Sequence, residues 1–198
     1  NKIPAGVNAV MGGGHFADGT TLTRQIFEKK VKTQMVALLV APPEPKFAEL
    51  GEACIGVIGS SMWEPFAKYS AEAAKAEGLE WFGPTVAEFT QEYKAKYNED
   101  PSYHSAGGYA AGLILQKAIE KAGSTDTEKV KAALDAENMY TFYGRIKFDT
   151  TPKAHGLQQQ VEVIADLLID LTGRRRCRYD LLEVVGLRLR LHVGDDRL

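Results

Sequence analysis

Met35 to Ala41 is apolar at every one of its seven positions, and this run sets the strongest limit on the fold. A strand with one wet face alternates apolar and polar residues, whereas an unbroken apolar run predicts a strand covered on both faces, as in a parallel sheet between helices. The run is far short of the ~20 residues that span a bilayer. Shorter apolar stretches at Val7–Met11 and Cys54–Ile58 predict two more buried strands on either side of it. Between the first two, Leu22, Ile26 and Phe27 fall on one side of a helix expected from about Thr20 to Val31, with Arg24, Glu28 and Lys29 opposite. Pro42, Pro43 and Pro45 then interrupt the chain, and a short helical turn at Phe47–Leu50 ends at Gly51. The order strand–helix–strand–helix–strand is that of an α/β protein with a parallel sheet.

Ser60 to Pro65 follows neither period and suits a crossing between two structural units. Helices are expected beyond it. Phe89, Tyr93 and Tyr97 mark one face of Val86–Tyr97, and a long, narrow helix rich in glycine and alanine runs from Tyr103 to Ala122, with Gly123 as its stop. Thr125 and Glu128 have capping-box spacing and start a helix to about Ala136. Thr141–Phe148 alternates aromatic and polar residues and reads as one strand.

Residue usage changes after that point. All 15 lysines lie at or before Lys153, whereas seven of the nine arginines lie at or after Arg174, and Tyr179 is the one aromatic residue beyond Phe148. Val161, Ile164, Leu168 and Leu171 form a helical stripe, and Leu187, Leu189, Leu191 and Val193 alternate like a half-exposed strand. The switch from lysine to arginine suggests a fusion, a frame change in the encoding DNA or a cloning junction. Residues 151–198 are accordingly set apart as an atypical, arginine-rich tail.

Several function classes find no support. A net charge of −2 gives no electrostatic reason to expect nucleic acid or an anionic membrane as partner. No membrane-spanning segment is expected, and Asn1–Val10 lacks the charged start and apolar stretch of a secretory leader. Cys54 and Cys177 have no metal-ligand spacing, and Cys54 reads as a small core residue. Gly12-x-Gly14-x-x-Ala17 fits a dinucleotide fingerprint, but the acid expected at the end of the next strand is missing, Glu44 coming too late and after two prolines. Neither G-x-S-x-G nor H-E-x-x-H occurs. No cofactor, no metal and no enzymatic activity are expected.

Six phrases taken together carry a resemblance. They are Gly12-Gly-Gly-His-Phe-Ala-Asp-Gly19 with Arg24-Gln25; Gly51-Glu-Ala-Cys-Ile-Gly-Val-Ile-Gly59 with Trp63-Glu-Pro65; Phe89-x-x-x-Tyr93-x-x-x-Tyr97; Pro101-Ser-Tyr-His-Ser-Ala106 with Gly108-Tyr-Ala-Ala111; Ala118-Ile-Glu-Lys-Ala-Gly123; and Phe142-Tyr-Gly-Arg-Ile-Lys-Phe-Asp149. In this order, over residues 7 to about 158, the chain resembles the branched-chain amino-acid (Leu/Ile/Val-binding) family of substrate-binding proteins of ABC importers, with the type I periplasmic binding fold. The resemblance implies three-layer α/β lobes with parallel sheets, here partial, with half of the N-terminal lobe missing. Residues 1–62 would form the second half of the C-terminal lobe and residues 63–150 the returning segment of the N-terminal lobe. It further implies a small amino acid or amide held between the lobes, an ABC-transporter permease as partner and a periplasmic or other extracytoplasmic location. With one lobe incomplete, weak or absent binding by this chain alone is expected. A ligand-sensing domain of the same fold and a non-functional fragment are the alternatives.

The loop Gly12–Gly19 follows a parallel strand and precedes a helix, where open α/β sheets bind ligands. By resemblance, His15 and Phe16 place an aromatic wall against an aliphatic ligand side chain; otherwise they are a surface histidine and a core phenylalanine. Asp18 is either a helix N-cap or a ligand contact. By the same resemblance Glu44, in the Pro-rich loop after the strand end, would accept the ligand ammonium as an acidic residue of this lobe does in similar proteins. Trp63 lines the cleft or plugs the lobe interface, and Tyr103 stands at the ligand mouth or anchors its helix. His104 and His155 read as solvated surface residues.

Overall fold

The computed structural model describes residues 3–151, together with the backbone of short strands at 164–165, 167–169 and 175–177. Strands β1 (Ala9–Gly12), β2 (Met35–Leu38) and β3 (Val57–Ser60) pair in parallel in that order, with Ala9 opposite Met35 and Val36 opposite Val57. Helix α1 (Phe16–Glu28) makes the first crossover and a 3-10 segment, Pro45–Cys54, the second. Strand β2 stops three residues before the end of the apolar run. Leu39 still donates its N–H to the Gly12 carbonyl at 3.0 Å, but Pro42 and Pro43 have no N–H with which to continue the ladder. The Cys54–Ile58 strand is likewise displaced: Cys54 closes the 3-10 segment, and the strand begins at Val57.

Cover on both faces of this sheet is not what the described residues provide. Each right-handed crossover steps in the same direction along the order β1-β2-β3, so both connections fall on one face, where α1 and the 3-10 segment touch. That face holds Val36, Leu38, Phe47 and Val57, with Phe16, Leu22 and Ile26 packed against them. Burying each such side chain contributes about 1.5–3 kcal/mol. Met35 and Met11, at alternate positions, stay 37% and 78% exposed. Gly19 lets α1 approach closely: a Cβ there would lie 2.5 Å from the Ala41 Cβ.

Beyond β3 a second sheet forms, in the order β4 (Glu80–Trp81), β5 (Asn138–Thr141), β6 (Gly144–Lys147). The single strand expected at Thr141–Phe148 is thus the second half of a hairpin. Thr141 Oγ1 accepts the Tyr143 N–H at 3.1 Å inside the two-residue turn, and Gly144 supplies a φ of +109°. Around this sheet lie α2 (Ala71–Ala76), α3 (Val86–Tyr97), α4 (Tyr103–Ala122) and α5 (Thr127–Asp135). Helix α3 carries a capping box in which Thr85 Oγ1 accepts the Glu88 N–H and Glu88 accepts the Thr85 N–H. Helix α4 buries Ala106, Ala110, Ile114 and Ala118, one small or apolar residue per turn, and ends at Gly123 with φ +58°. Asp126, not Thr125, caps α5 by accepting the Lys129 N–H at 3.1 Å.

The expected helical stripe in the tail is not a helix at Ile164 and Leu168. Ile164–Ala165 (β7) pairs antiparallel with β3, and Leu167–Ile169 (β8) pairs with Arg175–Cys177 (β9). The open edge of β3 offers unpaired N–H and C=O groups that an extended segment satisfies. Val161, Leu171 and the alternating segment Leu187–Val193 lie outside the described residues. No described helix is long and apolar enough to cross a membrane.

Candidate functional site

The carboxyl ends of β1 and β2 bring two loops to one edge of the first sheet. One carries Gly12–His15 into α1; the other turns through Pro42 and Pro43 to Glu44, the N-cap of the 3-10 segment. The close approach of Gly19 to Ala41 puts these loops side by side. This is the edge at which open α/β sheets take ligands.

Helix α1 starts at Phe16, four residues before the expected start, and the roles at its first turn are exchanged. His15 is the N-cap, and Asp18 is the third helical residue, its carboxylate reaching back to accept the His15 N–H at 3.0 Å. Asp18 therefore acts as the second member of a capping pair. Phe16 is half-buried against the first core, and His15 is exposed.

Glu44 sits between prolines in extended backbone, φ −74° and ψ 132°, as a residue preceding proline prefers. Its side chain is 19% exposed, and Oε1 lies 2.6 Å from Nδ1 of His104, a residue in the first turn of α4. His104 is thus solvent-accessible but engaged, which the sequence did not disclose. His155 lies outside the described residues. The Tyr103 ring lies 4.0 Å, centroid to centroid, from the His104 ring. Burial pushes the Tyr103 hydroxyl above its ordinary range, and the Glu44 charge and Tyr143 add to the effect, so this phenol stays protonated. Tyr143, 8% exposed, is raised by burial and then by Tyr69. Gly107 leaves room for it, since a Cβ there would stand 3.2 Å from its hydroxyl.

The structure therefore brings Glu44, from the unit of the first sheet, to His104 in the first turn of α4, with Tyr103 against that histidine. Trp63 does not join this group. It is 0% exposed, donates Nε1–H to the Phe142 carbonyl at 3.0 Å and meets Phe89 and Phe142 edge-on. That is the position of a plug in the second core. Cys54, 2% exposed, donates to the Gly51 carbonyl, and burial raises its thiol. A groove of about 460 Å³, walled by Ile26, Phe27, Val31, Met35 and Ile55, opens at the opposite, amino end of the strands. It shares no residue with the Glu44 group.

Chemically, the group offers one carboxylate and several hydrogen-bond donors. Of the Glu44 oxygens, Oε1 is taken by His104, whereas Oε2 receives no hydrogen bond from a described residue. A carboxylate accepts at both oxygens, so Oε2 is available to a cation or an N–H group.

The chain matches the family model described as "Periplasmic binding protein" over residues 3–164. Its fold is similar to that of the leucine-binding protein LivK from Thermotoga maritima MSB8, at a TM-score of 0.62 and 24% identity over 86% of this chain and 43% of that one. It is also similar to a type 1 periplasmic binding protein from Bordetella pertussis Tohama I, at a TM-score of 0.50 and 20% identity over 77% and 46% of the two chains. The chain spans less than half the length of either. With most of its residues inside the match, the chain belongs to the periplasmic binding protein family.

Proposed function

We propose that this chain is part of the extracytoplasmic solute-binding component of an ABC importer for branched-chain or other small amino acids or amides. In this reading residues 1–62 belong to one lobe and residues 63–150 to the other, and the ligand sits where they meet. The observation that carries it is the Glu44 carboxylate at the carboxyl edge of the first sheet, its Oε1 met by His104 of the second unit with the Tyr103 ring beside that histidine, and no described residue bonded to Oε2. An α-ammonium suits such an acceptor, because charge-assisted hydrogen bonds are about twice as strong as neutral ones. His15 and Phe16 would wall the ligand's side chain, and Tyr103 would donate to its polar end. Family membership supports the reading, as does similarity in fold to a leucine-binding protein. The action is binding without bond making: a ligand that touches both units only when they close shifts the open–closed equilibrium by its differential affinity.

Because the chain spans less than half of those structures, we expect its own affinity to be weaker than about 1 μM. The test is thermal unfolding of the purified chain with L-amino acids and short amides. A midpoint that rises with leucine, isoleucine or valine supports the reading, since a ligand that prefers the native state stabilises it. A cooperative transition that no ligand moves even at concentrations on the order of 10 mM, where binding as weak as about 1 mM still shifts the midpoint, contradicts it.

A further inference from the structure

We propose that His104 is a positioning residue for Glu44: it holds one carboxylate oxygen across the two units so that the other is aimed at the ligand. The backbone of Glu44 is set by its neighbouring prolines, but a glutamate side chain turns about three bonds and keeps no single direction without a partner. Among the described residues, the side chain that meets the carboxylate is the His104 imidazole, its Nδ1 2.6 Å from Oε1 and 60 residues away in sequence.

The imidazole is itself constrained. Ser102 caps α4 by accepting the Ser105 N–H, which fixes the first turn. The Tyr103 ring lies against the histidine at 4.0 Å with an interplanar angle of 31°. A chain of contacts thus runs from the start of α4 through Tyr103 and His104 to Oε1, and Oε2 is left over. The acid comes from the unit of the first sheet and its holder from the unit of the second, so the acid is aimed only while the units are in contact. Affinity for an ammonium at Glu44 is thereby coupled to their approach, through a side chain that need not touch the ligand.

This role rests on the proposed amino-acid site, and the test separates the two. The first arm needs no ligand: the ¹⁵N resonances of the imidazoles are compared in the wild-type chain and in Glu44→Ala, with His104→Asn identifying the His104 signal by its loss. A His104 Nδ1 resonance that moves in Glu44→Ala is expected; one that stays in place overturns the proposal. The second arm measures the dissociation constant for L-leucine. His104→Ala is expected to raise it about threefold to tenfold, the effect of losing a hydrogen bond to a charged group at a partly exposed site. His104→Asn, whose amide N–H stands where Nδ1 stood, is expected to recover most of the loss. Unchanged binding by His104→Ala, or a loss that asparagine does not relieve, overturns the proposal. If the wild-type chain binds neither leucine nor any other amino acid, the functional reading fails, and the imidazole spectrum alone decides whether His104 holds Glu44. Unfolding midpoints of both variants within a few degrees of wild type confirm that exposed position 104 tolerates the changes.

Discussion

The indole N–H of Trp63 donates to the carbonyl of Phe142 at 3.0 Å, tying the segment that leaves the first sheet to the hairpin turn of the second. The two residues are 79 positions apart. Their rings meet edge-on at 5.8 Å, with Phe89 stacked on Phe142 at 4.4 Å. Trp63 is thus a structural link between the crossing and the second core.

Replacing Trp63 tests that link. Trp63→Phe keeps a ring but leaves the Phe142 carbonyl without its donor and opens space, so a loss of about 1–3 kcal/mol is expected. Trp63→Ala should cost about 3–5 kcal/mol. Urea denaturation measures both, and a loss below about 0.5 kcal/mol, the size of an ordinary surface change, would contradict the buried position.

Gly19→Ala sets two effects against each other. Alanine favours a helix interior over glycine by about 1 kcal/mol, but the new Cβ would stand 2.5 Å from the Ala41 Cβ. Neither atom can rotate away, so α1 must shift, and such overpacking costs about 1–3 kcal/mol. A net destabilisation in urea is expected, whereas a stabilised variant would place α1 farther from Ala41.

The cap of α3 should fail in acid. Backbone and hydroxyl hydrogen bonds from Thr85 hold the Glu88 carboxyl below its ordinary range. A carboxyl lowered in the folded state stabilises fully above its unfolded pKa, roughly 4.3, and that contribution is lost as pH falls through the folded value. The gap in unfolding midpoint between wild type and Glu88→Ala should therefore narrow between neutral pH and about pH 3. A gap that does not change with pH would mean that the carboxylate does not cap the helix.

Cys54 should resist modification in the native chain. It is 2% exposed and its thiol is raised by burial, hence protonated at neutral pH. Peptide-resolved iodoacetamide labelling is expected to find Cys54 unmodified in the native chain and fully labelled in urea. Rapid native labelling would mean that the Gly51–Cys54 turn opens easily.

What could be read from the sequence depended on how local its cause was. The bounds of α3 and α4 are those expected, because tyrosine and alanine spacing and the Gly123 stop lie within the helices themselves. The parallel order of the first three strands followed from short-range alternation of apolar runs and breaks. The hairpin turn gave no sign, because Phe142 and Tyr143 are buried aromatic residues where polar ones are the usual signal. Helix α2 and strand β4 are too short to show a period. At the candidate site, Glu44 and Tyr103 could be named separately by resemblance. Their meeting, and the part played by His104, depend on contacts some 60 residues apart that no local pattern encodes. Trp63 could be placed near the crossing, but only its distant partner Phe142 shows which way it faces.

Whether Glu44 takes the ammonium of an amino acid is read by calorimetric titration of the wild-type chain and Glu44→Gln with L-leucine, L-isoleucine and L-valine. Glutamine keeps the size and removes the charge, so wild type is expected to bind and the dissociation constant to rise about tenfold or more for Glu44→Gln, the size of a hydrogen bond to a charged group. Equal affinities in the two chains would contradict it.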